Sequence, residues 1–145
     1  MAYKVLGGAE LSTGWADNAR VEVLTYAGGN NSTVIIEYTR GAKPKGTVRL
    51  RFEQVMSFEW TGSDYECLMP DSDDFEFGLI EVFDSQKLRT LAEKARLPGV
   101  VLTDSKVEYQ GRVVLHHYRL GFDDHGTYDL VCGRPVEITH LYRET

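Results

Sequence analysis

The sequence predicts a mainly β (α+β) protein, in which a strongly bent antiparallel sheet or small open barrel of seven to eight strands carries one packed helix. Three observations support this fold class. Alternation of apolar and polar residues with period two dominates the chain. Clusters of Gly, Asn and Pro separate the alternating segments. A single segment has helical periodicity. With 145 residues and no linker, the chain is expected to form one globular domain over 1–145.

The first half of the chain predicts a hairpin and a long, interrupted strand. The alternating segments Ala19–Tyr26 and Thr33–Arg40 flank GGNN, whose Gly and Asn tolerate positive φ. The next segment, TVRLRFEQVMSFEW, places its large apolar side chains on one parity, where aromatic residues are more often core than ligand contacts. Gln54 interrupts that parity, so we expect a bulge or short turn near Glu53–Gln54 to divide two strands.

The helix is predicted in DSQKLRTLAEKARLPG, Asp84–Gly99, directly after the strand FEFGLIEVF. Its apolar residues are spaced as one narrow stripe, which suits a helix lying on a sheet: Leu88, Leu91, Ala92 and Ala95. Asp84 or Ser85 can cap the helix N-terminus, and Pro98-Gly99 ends it. The chain therefore combines several strands with one surface helix.

The last third predicts a second hairpin and a final strand. The segments RVVLHHYRLGF (Arg112–Phe122) and TYDLVC (Thr127–Cys132) flank DDHG, four residues typical of a hairpin turn. The final strand, VEITHLY, spans Val136–Tyr142. A position beside this hairpin is open to it. Three of the four histidines lie in or beside the predicted turn and the strand before it, which raises the question of a metal or catalytic site.

The histidines favour a structural hairpin over a metal centre. Side chains alternate along a strand, so the adjacent His116 and His117 must point to opposite faces. An alternative metal site, or an acid–base catalytic site, would need His116, His140, Asp123 and Asp124 to converge. Zinc sites usually show close ligand spacing, which is missing here. Turn chemistry explains the two aspartates without a ligand.

Other catalytic and cofactor motifs are missing from the sequence. It contains no G-x-S-x-G elbow and no phosphate-binding glycine loop, and PDSDDFE lacks the glycine and distal glutamate of an EF-hand. The two cysteines, Cys67 and Cys132, form no CxxC motif and are expected to be reduced, mostly buried thiols. We therefore expect no cofactor and no catalytic activity.

The charges are unevenly distributed along the chain, whose formal net charge is −6. Ten acidic residues and no Lys or Arg occur between Glu53 and Gln86: Glu53, Glu59, Asp64, Glu66, Asp71, Asp73, Asp74, Glu76, Glu81 and Asp84. Such a field repels nucleic acid and favours a basic protein partner. The acidic segment Asp64 to Glu81 is predicted to face that partner, with four residues as the expected contacts: Asp71, Asp73, Asp74 and Glu76.

A basic stretch, Arg40 to Arg51, lies upstream and carries five bases and no acid. It lacks the interleaved aromatic residues of a nucleic-acid site. Charge on Arg49 and Arg51 is expected to protect an exposed sheet edge, and homodimerisation through acidic and basic faces is an alternative use of these residues.

The sequence predicts no membrane segment and a cytoplasmic location. No apolar run approaches the roughly 18 residues needed to cross a bilayer. The first residues, MAYKVLGGAELSTGW, lack the apolar core of a signal peptide. A third functional alternative is a small-ligand-binding β-barrel, because large interior side chains can line a cavity as well as fill one.

The order of an apolar strand with a basic outer face, then FEFGLIEVFDSQKLRTL, then HHYRLGFDDHGTYDLVC, resembles small bacterial β-rich domains of unknown function. Some of these domains are encoded near toxin systems and are regarded as immunity proteins. The resemblance covers roughly Val48 to Pro135 and carries over no functional residue. It implies a non-catalytic binder, and its concrete form is an immunity protein that binds a basic toxin.

Overall fold

A computed structural model describes residues 2–7, 11, 13, 16–25, 32–40, 46–62, 78–83, 85–95, 100–103, 106–110, 112–122 and 126–143. Within these ranges the chain forms eleven strands and one helix: β1 (Ala2–Leu6), β2 (Ala16–Thr25), β3 (Ser32–Arg40), β4 (Gly46–Phe52), β5 (Val55–Thr61), β6 (Leu79–Phe83), α1 (Gln86–Ala95), β7 (Val100–Thr103), β8 (Lys106–Tyr109), β9 (Arg112–Phe122), β10 (Gly126–Cys132) and β11 (Glu137–Arg143). The mainly β class with one helix is confirmed.

The strands form two antiparallel sheets. The first sheet has seven strands, in the order β1-β6-β9-β10-β5, with β8 also paired to β9 and β7 paired to β8. The second has four strands, in the order β11-β4-β3-β2. Neither order closes on itself among the described strands. The strand number therefore exceeds the expected seven to eight, because the sequence analysis left out β1, β7 and β8.

The core lies between the two sheets. Alternation on β3 and β4 buries one face of the second sheet, as expected for a sheet covered on one side. Tyr38 meets Phe122 edge to face at 5.4 Å between ring centroids, and Phe52 meets Tyr118 at 5.7 Å. Both buried tyrosine hydroxyls are bonded, since Tyr38 donates to the Leu11 carbonyl at 2.7 Å and Tyr118 accepts from a backbone N–H. Burial raises the pKa of both phenols well above the ordinary value.

The helix lies on the outer face of the first sheet. Its cap is Ser85, whose Oγ accepts the Leu88 N–H at 3.1 Å, as the sequence predicted for either Asp84 or Ser85. Leu88 packs against Leu115 and Val131, so the narrow apolar stripe faces β9 and β10. Because both faces of the first sheet are partly covered, neither face of β9 is a plain solvent face.

Two long-range pairings differ from the expectations. The final strand, β11, pairs with β4 of the second sheet and not with the β9–β10 hairpin. As a result β4 is flanked by β3 and β11, and edge protection is the wrong explanation for its arginines. Arg49 instead pairs with Glu37 at 3.4 Å, and Arg51 with Glu53 at 3.0 Å. The basic stretch is therefore partly neutralised on the surface of the second sheet.

The predicted break between β4 and β5 is confirmed and carries the chain from one sheet to the other. Gln54 has a φ of 55°, a left-handed conformation that is uncommon for a residue other than glycine. Its carbonyl accepts the Gly133 N–H at 3.0 Å, which ties this connection to the one between β10 and β11. Two of the three crossings between the sheets, β4 to β5 and β10 to β11, are thus bonded to each other.

Candidate functional site

The adjacent histidines of β9 diverge, as the strand pleat predicted. The His116 ring lies parallel to Tyr118, at 5.7 Å between centroids, on the face that meets the second sheet. Its Nδ1 lies 3.2 Å from Glu81 Oε2. Glu81 was expected to close the acidic segment that faces a partner, but in β6 its carboxylate is largely buried and turned toward His116. The available part of that segment therefore ends before β6.

His117 lies on the opposite face, at the centre of a hydrogen-bonded cluster beneath the start of the helix. Its Nδ1 lies 2.8 Å from Ser85 Oγ, and its Nε2 lies 2.7 Å from Asp129 Oδ1. The Arg119 Nε donates to the same Asp129 oxygen at 2.8 Å. We name these four residues the helix-cap cluster: Ser85, His117, Arg119 and Asp129.

The electrostatics of the helix-cap cluster keep Asp129 ionised. Burial raises the pKa of the Asp129 carboxyl, but hydrogen bonds from His117 and Arg119, together with their charges, outweigh it and leave this pKa below its usual value. His117 is only 2% exposed and Asp129 only 5%. Both ring nitrogens of His117 are thus hydrogen-bonded, Nε2 to the Asp129 carboxylate and Nδ1 to the Ser85 hydroxyl.

The helix-cap cluster has the residue types of a Ser-His-Asp triad, and His117 contacts both Ser85 and Asp129. In a hydrolase the serine oxygen must be available to attack a carbonyl carbon. Ser85 Oγ also accepts the Leu88 N–H as the helix cap, and the Ser85 carbonyl accepts the Arg89 N–H at 3.1 Å. The cluster therefore fastens the helix N-terminus to β9 and β10.

The two histidines of the alternative metal site lie on different sheets. His140 is exposed on β11 in the second sheet, beside Val48, while His116 is buried on β9 in the first. The chain crosses between sheets after β10, so β11 pairs with β4 and not with the β9–β10 hairpin. Asp123 and Asp124 lie outside the described residues. Across the described ranges, no group of three or more His, Cys, Asp or Glu side chains could hold a metal ion.

Cys132 is a buried thiol with no feature of a nucleophile. Burial raises its pKa to about 12, and its Sγ donates to the Arg134 carbonyl at 3.2 Å. The thiolate needed for attack is therefore strongly disfavoured. Cys67 lies outside the described residues.

The acidic segment connects two strands at one end of the first sheet. Its predicted contact residues, Asp71, Asp73, Asp74 and Glu76, lie outside the described residues. The strands on either side of connection 63–77 are described: Thr61 at the end of β5 pairs with Thr127, and Leu79 at the start of β6 pairs with Leu120. Both lie where β9 passes into β10, at the Phe122–Gly126 pair.

Two acid-rich connections therefore leave and re-enter the first sheet at the same end, which we name the acid-rich end. Connection 63–77 carries six acidic residues and no Lys or Arg, and connection 123–125 adds two: Asp64, Glu66, Asp71, Asp73, Asp74, Glu76, Asp123 and Asp124.

The sequence analysis missed the exposed apolar side chains of β5. It placed Met56 and Trp60 on the core parity, but β5 is an edge strand, and these side chains are 45% and 57% exposed. Phe58, between them, is partly buried and stacks on Tyr128 at 5.9 Å. The strand order, which period-two alternation does not encode, decides this exposure.

Comparisons with known proteins gave no assignment: no family model, curated protein or solved structure matches this chain. Among the described residues, the one helix is too short and polar to span a bilayer.

Proposed function

We propose that the protein is a non-catalytic, cytoplasmic interaction domain whose acid-rich end binds a basic protein, in the manner of an immunity protein that binds a basic toxin. One observation carries this proposal. Strand pairing brings the ends of connections 63–77 and 123–125 together at one end of the first sheet. The sequence of these two connections carries eight acidic residues, six in 63–77 and two in 123–125.

Concentrated carboxylates at one end of a domain suit recognition of a cationic surface. They accelerate the encounter with a positively charged partner and can occupy a site that would otherwise bind an anion. The complex should weaken as salt rises, because exposed charges are screened beyond roughly 8 Å at physiological ionic strength. An enzyme that binds anionic substrates is the kind of toxin such an end would block.

The interior polar groups support a binding role over a catalytic one. His117, Asp129 and Ser85 are bonded to one another and to the helix N-terminus, and His116 is paired with Glu81. Among the described residues, the rings of His116 and His117 therefore contact only groups that are already hydrogen-bonded or paired with them. The core between the sheets is filled by large side chains such as Tyr38 and Tyr118, which favours the binder over a ligand-holding barrel.

The test compares two triple variants in pull-downs from a lysate that contains the native partner, at low and moderate salt. The first variant carries Asp71→Asn, Asp73→Asn and Asp74→Asn. The matched control carries Glu22→Gln, Glu93→Gln and Glu137→Gln, three exposed residues on other parts of the fold. Both remove three charges from the net −6, so a general effect of net charge is equal in the two variants.

We expect wild type and the control variant to retain the same basic protein at low salt, and the Asp71/Asp73/Asp74 variant to lose it. Mass spectrometry of the retained protein reports its identity and its charge. If the two variants retain it equally, or if the retained protein is acidic, the proposal is wrong.

A further inference from the structure

The edge strand β2 of the second sheet combines an open backbone edge with a self-complementary sequence. Among the described strands, β2 pairs with β3 alone. That pairing is regular from Asn18 to Thr25, because the irregularity in β2 lies before Asn18. A long regular edge is a template for one more strand, and natural proteins usually blunt it with bulges, prolines or lysines. β2 contains neither proline nor lysine, and its central residues, Ala19–Val23, read ARVEV.

The two faces of β2 differ in what their side chains contact. On the inner face, Ala19 and Val21 pack against the core, whereas Val23 is 52% exposed. On the outer face, Arg20 and Glu22 are both exposed. Neither of these charged side chains forms an ion pair or a hydrogen bond with another described residue. The edge thus presents one cation, one anion and one apolar side chain to its surroundings.

A row of alternating charges across the second sheet stops at Arg20. Arg49 on β4 lies opposite Glu37 on β3, and Glu37 lies opposite Arg20 on β2. Arg49 and Glu37 are ion-paired at 3.4 Å. The next position in this row lies beyond the sheet edge, where a carboxylate would continue the alternation. Opposite charges on directly paired residues of neighbouring strands attract, and like charges there repel.

A second copy of β2 supplies that carboxylate when the two strands pair antiparallel about a twofold axis at Val21. In this register Arg20 of each copy lies opposite Glu22 of the other, and Ala19 lies opposite Val23. An axis at Arg20 or at Glu22 would instead bring two like charges together. Because a slip of one residue also turns each strand over, the apolar face and the charges together select the register about Val21.

We propose that the protein forms a symmetric dimer through antiparallel pairing of β2 with β2 of a second copy. The two four-stranded sheets join into one sheet of eight strands. Two Arg20–Glu22 pairs lie on its outer face, and Val23 packs beside Ala19 of the other copy. The interface is isologous, since the same edge serves both copies. It belongs to the second sheet and is independent of the proposed function, so substitution of Glu22 should leave retention of the basic partner unchanged.

The test reverses the charges of β2 in the full-length protein. Arg20→Glu gives a copy with two carboxylates at the edge, and Glu22→Arg gives a copy with two guanidinium groups. A double variant carries both substitutions and so exchanges the positions of the two charges. Arg112→Glu and Glu93→Arg are the matched controls, because they change the net charge equally at exposed positions outside β2. Sedimentation velocity over a range of protein concentrations at low salt measures the dimer Kd of each protein.

We expect wild type, the double variant and both controls to dimerise with similar Kd values. Each single reversal should raise the dimer Kd about tenfold or more, because it places like charges opposite each other at two symmetric positions. An equimolar mixture of Arg20→Glu and Glu22→Arg should form a heterodimer, since two carboxylates of one copy then lie opposite two guanidinium groups of the other. The heterodimer also shows that both variants are folded.

Three outcomes would overturn the inference. A wild type that stays monomeric at submillimolar concentration has no such interface. A dimer whose Kd is unchanged by both single reversals has its interface elsewhere on the molecule. A mixture of the two reversals that stays monomeric shows that Arg20 and Glu22 do not lie opposite each other, and the pairing about Val21 is then wrong.

Discussion

The two polar regions of the first sheet differ in what their charged groups contact. In the helix-cap cluster, Asp129 is bonded to His117 and Arg119, and Ser85 is bonded to His117 and the helix backbone. At the acid-rich end, six acidic residues occupy one connection that contains no Lys or Arg. The difference shows that residue types alone do not locate function. The residues that resemble catalytic machinery are bonded to one another and to the helix backbone, whereas the proposed binding surface is a run of acids between two strands.

The comparison is tested most strongly by breaking the helix-cap cluster. Asp129→Asn should destabilise the protein by about 3 kcal/mol. The substitution removes the buried carboxylate charge that pairs with Arg119 and His117. Glu37→Gln, which breaks the exposed pair with Arg49, should cost less than about 1 kcal/mol. Urea unfolding monitored by circular dichroism measures both. Equal losses would show that Asp129 is as weakly coupled to the fold as a surface residue.

Acidification sharpens the same comparison. The pKa of Asp129 is lower in the folded protein than its ordinary value of 3.8, chiefly because hydrogen bonds from His117 and Arg119 outweigh the effect of burial. Its ionised form therefore stabilises the folded state fully above that value, and the stabilisation is lost as pH falls through the lower folded pKa. The difference in unfolding free energy between wild type and Asp129→Asn should thus be constant near about pH 5 and shrink below 3.8.

Urea unfolding of both proteins at a series of pH values from weakly to strongly acidic gives this difference directly. A difference that grows on acidification would mean that Asp129 is protonated more readily in the folded protein. The assignment of its pKa, and with it the ion pair with Arg119, would then be wrong.

Local features of the fold were predictable, because period-two alternation, helix capping and turn residues are short-range signals. The β2–β3 and β9–β10 hairpins, the helix with its Ser85 cap, and the divergence of His116 and His117 all follow from them. Which sheet a strand joins was not predictable. Nothing in VEITHLY indicates pairing with β4 over β10, and the exposure of Trp60 depends on that long-range order.

The helix-cap cluster was missed because of one residue in a turn. A four-residue turn, DDHG, would pair Phe122 with Thr127 and point Asp129 toward the core face. The described pairing joins Phe122 to Gly126, so that Asp129 lies opposite Arg119 and on the His117 face. A shift of one residue moves every side chain to the other face of a strand. Gly126 has a positive φ, which glycine adopts easily. A glycine at this position is therefore the sequence signal for the shorter connection.

The smallest effect expected within the helix-cap cluster concerns Ser85, where the structural and catalytic interpretations differ most clearly. Ser85→Ala should cost about 1–2 kcal/mol, because the Leu88 N–H loses its cap and His117 Nδ1 loses a partner. Ser85→Thr keeps a hydroxyl at the cap and should restore most of that stability. Urea unfolding measures the cost, and hydrogen exchange at the Leu88 amide reports whether it arises at the helix N-terminus.

A fluorophosphonate probe provides the opposing measurement on the same residue. It reacts with a serine whose hydroxyl proton a neighbouring histidine can take and whose oxygen the probe can reach. Ser85 Oγ already accepts the Leu88 N–H, and the histidine beside it is only 2% exposed, so the probe has little access. We therefore expect no labelling of wild type, with the Ser85→Ala variant giving an identical result. Labelling that is present in wild type and absent from both Ser85→Ala and Asp129→Asn would make the helix-cap cluster a reactive site, and the contrast with the acid-rich end would then be reversed.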